Sequence, residues 1–387
     1  MILIKNGTVL TMAGRIIENG CVLVEGSKIK YVGEEKDFQG VLEVIDAEGG
    51  YIMPGMIDAH CHLGMWEDGV GFEGADGNEA TDPITPHLRA IDGINPMDKT
   101  FKEAYENGIT CVCTGPGSAN VIAGSFAVIK TYGKRIDNMI IKNPAAIKVA
   151  FGENPKSTYH EKHEMPTTRM GIAALLRDTL YKAQEYLNKK ENAEEDDDKP
   201  DFDMKYESLI PVLKREIPFK VHAHRADDIF TAIRIAKEFN IDLTLDHCTE
   251  GHLIADELKE EGYPIIVGPS LSERSKVELR ELTFETAGIL SKKGIDIAIM
   301  TDHGVIPIQY LPLCAALAVK HGMDEMEALK AITINPAKIL KIDDRVGSLE
   351  VGKDADIVVL DRFPLDVMAK TKYVLIDGKV VFKRDIR

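Results

Sequence analysis

Two histidines stand one residue apart in IDAHCHL, residues 57–63, at the end of an apolar run that follows YIMPG. Alternation along an extended chain puts Asp58, His60 and His62 on one face and turns Cys61 to the other. The theme recurs: VHAH carries His222 and His224, LDHC carries His247, and MTDH carries Asp302, each closing a short apolar segment. Imidazoles and carboxylates brought together are a ligand set for Zn2+ or a similar divalent ion. A lone strand histidine is more often a satisfied core residue; joint appearance at successive strand ends is what points to a metal. Lys148, inside AAIKVAFG, sits among residues too apolar to suit a spare ammonium. An ammonium cannot ligate, but burial lowers a lysine pKa and exposes the free amine. That amine either reacts with CO2 to give a carbamate able to bridge two metals, or pairs as an ammonium with a buried carboxylate. The residues alone leave both open.

Such a constellation needs a scaffold that gathers distant strand ends. The runs GMIDAHCH, GITCVCTG, FAVIKTYG, AAIKVAFG, PFKVHAH, DLTLDHC, YPIIVGPS and DIAIMTDH have strand length, and helical patterns such as DIFTAIRIAKEF and EMEALKAIT separate most of them. Alternating strands and helices imply parallel strands. Eight runs predict an α/β fold, a (β/α)8 TIM barrel over residues 55–344, with its chemistry at the C-terminal strand ends. The flanks differ: residues 1–54 and 345–387 are short alternating segments with glycine turns, among them ILIKNGTVL, CVLVEGSKIKYVG and YVLIDGKVVFK. The first of these reads as strand, Asn-Gly turn, strand. Neither flank has enough strands alone, so the two are predicted to pair into one small β-sandwich. One stretch breaks the rhythm. RMGIAALLRDTLYKAQEYLNKK sets Ile172, Leu175, Leu176, Leu180 and Leu187 in a helical stripe, then runs into ENAEEDDDKPDFD. That acidic run lacks calcium-loop spacing and reads as a solvated loop.

Composition narrows the function classes. The 387 residues are 44% hydrophobic and 28% charged, the balance of a globular protein with a full core. No stretch approaches the roughly 20 apolar residues of a membrane span, and the first residues lack signal-peptide features, so a cytoplasmic location is expected. Asp and Glu number 63 against 47 Lys and Arg, a net charge of −16 that repels nucleic acid and anionic membranes. A small molecule is the expected partner, with a homo-oligomer possible. The six cysteines read as buried thiols of a reducing compartment. Cys111 and Cys113 lack the second pair a zinc site would need and read as core packing.

Taken together, PGMIDAHCHL after a small β-domain, HAH, LDH, MTDH, INPAKIL, GSLEVGKDADIVVLD and DGKVV resemble the amidohydrolase superfamily over nearly the whole chain. The imidazolonepropionase-related amidohydrolases and the prolidase-like metallopeptidases are nearest in pattern. The resemblance implies a divalent metal, Zn2+ first among candidates, with one or two ions per chain. It matches His60 and His62 to the ligands of the first barrel strand and Lys148 to the carboxylated lysine of binuclear members. It matches His222 and His247 to the ligands of the fifth and sixth strands, Asp302 to the eighth-strand carboxylate, and leaves His224 to the substrate or to support of a ligand. Imidazolonepropionases and mononuclear deaminases place a glutamate three residues after the fifth-strand histidine. Here that position holds Arg225, which favours the binuclear, carbamate-bridged type.

The chemistry implied is attack of metal-bound hydroxide on an amide carbonyl, with Asp302 taking the proton and passing it to the leaving nitrogen. Asp58 either braces a ligand or forms an ordinary ion pair. Arg169, Arg225, Arg274 and His303 are the basic residues placed to read a substrate carboxylate, against the plainer reading of surface ion pairs. His160 and His163 in NPKSTYHEKHEM read as incidental loop histidines. Hydrolysis of a linear or cyclic amide leads, a mononuclear deaminase of an amino-substituted heterocycle is the neighbouring reading, and a catalytically dead scaffold is the alternative of another class. Two, one or no metal ions per chain separate the three.

Overall fold

A computed structural model describes residues 1–385. The chain opens with five strands, β1 (Ile2–Leu10), β2 (Ile16–Glu25), β3 (Lys28–Glu34), β4 (Glu43–Asp46) and β5 (Tyr51–Pro54). Eight barrel strands follow: β6 (Met56–Cys61), β7 (Ile109–Thr114), β8 (Ile122–Lys130), β9 (Ile140–Ala150), β10 (Phe219–Ala223), β11 (Leu243–His247), β12 (Ile265–Val267) and β13 (Ile297–Ile299). The chain then returns as β14 (Ile357–Leu360), β15 (Thr371–Ile376) and β16 (Lys379–Lys383). These last three join the first five in one sheet of order β16-β15-β14-β5-β1-β2-β3, with β4 also against β1. The seam between the two ends of the chain is the antiparallel pairing of β5 with β14.

Asn6-Gly7 makes no turn. Strand β1 runs through it as a bulge, with Asn6 at φ 58° and its side-chain amide on Asp46 Oδ1 at 2.8 Å. The bulge lets one strand change partners, pairing Ile2–Lys5 with β4 and Thr8–Val9 with β5. The hairpin turn lies further on, where Thr11 N donates to Arg15 O.

The barrel strands form a sheet of order β13-β12-β11-β10-β9-β8-β7-β6. Strands β6 to β8 and β10 to β13 are buried on both faces, which is why they read as unbroken apolar runs rather than alternating ones. The sheet nearly closes on itself. Ile57 N and Ile299 N donate to Ile332 O and Ala331 O, and Asp58 Oδ2 accepts Thr301 N at 3.0 Å and Thr301 Oγ1 at 2.6 Å. Asp58 therefore ties the tips of the first and eighth barrel strands, and its other oxygen accepts His60 N at 3.1 Å. Burial raises its pKa to about 6 against the pull of these hydrogen bonds.

One barrel strand departs from the all-parallel expectation. Strand β8 runs antiparallel to both neighbours, β7 and β9. A parallel return needs a crossover of about a dozen residues or more, and the links 115–121 and 131–139 hold no α-helix. Reversal carries the end of β8 to the opposite rim, where buried Lys130 meets Asp356 at 2.6 Å, Asp354 at 3.1 Å and Asp377 at 3.3 Å. The helix expected from the leucine stripe spans Arg169–Asn192, with Thr168 Oγ1 accepting Gly171 N as its N-cap. Ile172, Leu176, Leu180 and Leu187 are buried along it, and with the helix Met204–Leu213 it forms the crossover between β9 and β10.

Candidate metal centre

Six histidine and aspartate positions converge around Lys148, which lies inside β9. His60 lies next to the end of β6 and His62 just beyond it; His222 lies in β10 with His224 just beyond; His247 ends β11; Asp302 follows β13. They fall into two triads, His60 with His62 and Asp302, and His222 with His224 and His247. Within each, one ligand atom per residue lies within 4.8 Å of the others. His247 at φ 75° and Asp302 at φ 53° hold left-handed backbone, a conformation costing about 1–3 kcal/mol that persists where surroundings impose it.

The rings are locked from behind. His60 Nδ1 donates to Asp246 Oδ2 at 2.5 Å, His62 Nδ1 to Gly115 O at 2.7 Å, and His247 Nδ1 to Gly268 O at 2.9 Å. His224 Nδ1 meets Thr249 Oγ1 at 2.7 Å. Carboxylates and carbonyls only accept, so in His60, His62 and His247 the proton sits on Nδ1 and the Nε2 lone pair faces inward. Asp246 is itself held, by Thr244 Oγ1 at 2.9 Å and by the buried Lys220 ammonium at 3.1 Å. Burial pushes His60, His222 and His247 well below the usual histidine range, and His224 down to about 3 with help from Lys276 and Lys148. These four imidazoles are neutral, each with a lone pair to offer.

These residues fit a divalent cation. Asp302 Oδ1 lies 3.1 Å from His62 Nε2 and 3.5 Å from His60 Nε2, three acceptors facing one another. Asp302 Oδ1 and His247 Nε2 are buried without a hydrogen-bond partner. Lone pairs gathered this way repel unless a positive charge stands between them. Lys148 Nζ reaches to 3.2 Å from His60 Nε2, and burial lowers its pKa to about 8 although Asp246 and Asp302 oppose the shift.

A cavity of about 690 Å3 opens over both triads, walled by Trp66, Leu271 and Leu279 and carrying Asn154 and Lys276. The Trp66 ring stands 5.1 Å from that of His62. The basic residues expected to read a substrate lie elsewhere. Arg169 pairs with Asp228 at 3.0 Å and Arg225 with Asp227 at 2.9 Å, and both line a neighbouring cavity of about 530 Å3, as does His160. His303 is buried with Nδ1 accepting Ile308 N at 3.1 Å, and Arg274 donates to Leu282 O. Nothing in sequence singled out Glu278. Its Oε1 is buried without a hydrogen-bond partner, 3.7 Å from His224 Nε2 and 3.9 Å from His222 Nε2. Its Oε2 accepts Glu153 N at 2.9 Å, beside Gly152 at φ 83°, where a Cβ would fall 2.6 Å from that oxygen. Glycine is what leaves room for the carboxylate.

Residues 209–381 match the model of the amidohydrolase family. A solved amidohydrolase of Thermotoga maritima MSB8 is 46% identical, covers 99% of this chain and 100% of its own, and superposes with a TM-score of 0.96. The chain belongs to the amidohydrolase superfamily. Amidohydrolase tasK of Hapsidospora irregularis is 29% identical over 94% of this chain, which spans 40% of that protein's length. The imidazolonepropionase of Fusobacterium nucleatum is 25% identical over 95% of this chain and 93% of its own. As an amidohydrolase the chain is a hydrolytic enzyme of a family that binds divalent metal, and both triads offer a place for one. Among the described residues no helix is long and apolar enough to cross a membrane.

Proposed function

We propose that this amidohydrolase hydrolyses the C–N bond of a linear or cyclic amide at a binuclear divalent centre, with Zn2+ the ion its ligands suit best. The observation that carries the reading is Lys148: its amine stands 3.2 Å from a ligand nitrogen whose lone pair faces inward. A permanent ammonium would oppose a cation there, whereas a carbamate would supply the bridging oxygens. His60, His62 and Asp302 would hold one ion; His222 and His247, with His224 at equal reach, the other. A bound divalent ion supplies Lewis acidity, acidifying a water and polarising a carbonyl.

The chain's own residues do the rest. Asp302 Oδ1 accepts the proton of the attacking water and delivers it to the amide nitrogen as the C–N bond breaks, leaving a carboxylic acid and an amine. Asp246 holds the His60 ring in one tautomer. The cavity, a concave space with apolar walls and many polar side chains around the triads, suits a small organic molecule rather than a nucleic acid or a membrane.

A second reading, a mononuclear deaminase of an amino-substituted heterocycle, draws support from Glu278, a carboxylate beside the β10 histidines although position 225 is arginine. Counting metal in purified protein while screening N-acyl amino acids, dipeptides, cyclic amides and aminoheterocycles decides between them. About two ions with amide cleavage supports hydrolysis, one ion with ammonia release supports deamination, and none would leave a scaffold.

A further inference from the structure

We propose that the site takes amides bearing a free carboxylate next to the scissile bond, N-acyl amino acids and dipeptides among them, with Lys276 as the residue that reads the carboxylate. The inference rests on the hydrolase reading for the position of the scissile bond. Among the described residues lining the cavity over the two triads, Lys276 is the one lysine or arginine. It stands in the segment between β12 and β13, with its side chain 32% exposed. One of its three ammonium donors goes to Asn154 Oδ1, and Glu278 Oε1 at 3.8 Å lies beyond hydrogen-bond reach. Glu278 is thus an ion-pair neighbour, and the other two donors make no hydrogen bond to the described residues.

Asn154 fixes where that charge stands. Its Nδ2 donates to Ser118 Oγ at 2.7 Å and lies 3.5 Å from His222 Nε2. Nδ2 and Oδ1 belong to one planar amide, so the ammonium is a single amide group away from the imidazole. A carboxylate held by Lys276 would thus lie on the side of the cavity that carries the β10 histidines. Trp66 and Leu271 would receive an apolar side chain or acyl group. The two arginines expected to do this work are held by Asp228 and Asp227 outside the cavity. Lys276 takes their place.

The test uses zinc-loaded full-length protein and two probes without a C–N bond, 4-phenylbutanoate and 4-phenylbutanol, titrated by calorimetry against wild type, Lys276→Met and Lys276→Arg. The acid should bind wild type at least about tenfold tighter than the alcohol, Lys276→Met should bring the two within about twofold, and Lys276→Arg should keep most of the preference. Equal affinities in wild type, including none measurable, or an acid preference that survives in Lys276→Met because the probe sits on the metal, overturns the assignment. Zinc is counted in the same samples. A chain that takes no zinc defeats the hydrolase reading, while the comparison of acid and alcohol still decides Lys276.

Discussion

Asp246 joins the candidate metal centre to the core, and Asp246→Asn separates two effects that usually travel together. The carboxylate faces His60 at 2.5 Å and Lys220 at 3.1 Å, with His60 and Asp246 fully buried and the Lys220 side chain 1% exposed. Asparagine keeps the shape and can still accept from His60 Nδ1, but it carries no charge. Lys220 is then a buried ammonium without its counter-ion, which costs about 3–5 kcal/mol of folding stability. The imidazole loses a charged orienting partner, which lowers metal affinity about 10–100-fold, or about 1.4–2.8 kcal/mol. Adding Lys220→Met removes the orphaned cation. The double variant should regain most of the folding stability, because with both charges removed neither is left buried and uncompensated. It should keep the full loss of metal affinity, because the carboxylate is still missing. Urea unfolding of the metal-free proteins gives the first quantity, and competition with a chromophoric chelator gives the second. An Asp246→Asn protein within about 1 kcal/mol of wild type, or a double variant that binds zinc like wild type, would refute the reasoning.

Three further expectations follow from the same contacts. Lys148→Ala should lower bound metal from about two ions per chain to one, and reconstitution of the metal-free wild type should depend on added bicarbonate while that of the variant does not; equal bicarbonate dependence in both would remove the carbamate from the account. Lys130→Met leaves Asp356 buried opposite no ammonium, while Asp354 keeps Lys28 and Arg345, both at 2.7 Å, and should cost about 3–5 kcal/mol in urea unfolding without altering metal content. Burial lowers the Lys130 pKa, but Asp356, Asp377 and Asp354 together raise it above the ordinary 10.5. A raised lysine stabilises fully below its unfolded value and loses that contribution at higher pH. The wild-type advantage over Lys130→Met should therefore be flat from about pH 7 to 9 and shrink as pH climbs past about 10.5; an advantage that grows there would contradict the ion-pair assignment. Arg225→Ala removes a guanidinium whose partner, Asp227, lies on the surface, so stability should change by less than about 0.5 kcal/mol with zinc content intact; a large loss of bound zinc would return Arg225 to the centre.

The metal centre was legible where sequence periodicity and residue chemistry coincide, and hidden where the backbone leaves its period. In β10 and β11 the register pairs His222 with Asp246 and Ala223 with His247. Simple alternation therefore puts Asp246, not His247, level with His222 inside the barrel, and Asp246 does reach His60 there. His247 enters the centre because its left-handed φ of 75° turns it off the strand, and Asp302 at φ 53° does the same after β13. Their residue types mark them as ligand candidates, while Asp246 in LDH carries no such mark although its position is the regular one. The reversal of β8 was readable in principle from the helix-free link 115–121 and the absence of a helical pattern before AAIKVAFG, since a parallel crossover needs more chain than that. Strand length alone concealed it. Lys276 and Glu278 had no such signal. They lie between β12 and β13, at and within a single short 3-10 turn (Val277–Leu279) that sets up no period, and only the folded chain brings Glu278 within 3.9 Å of His222, 56 residues upstream. Metal chemistry is thus written on the strands, where spacing constrains which residues can meet. On the proposed reading, recognition of the substrate would be written on the segments between them, where a charge such as Lys276 is placed by Asn154 across the cavity rather than by its neighbours in sequence.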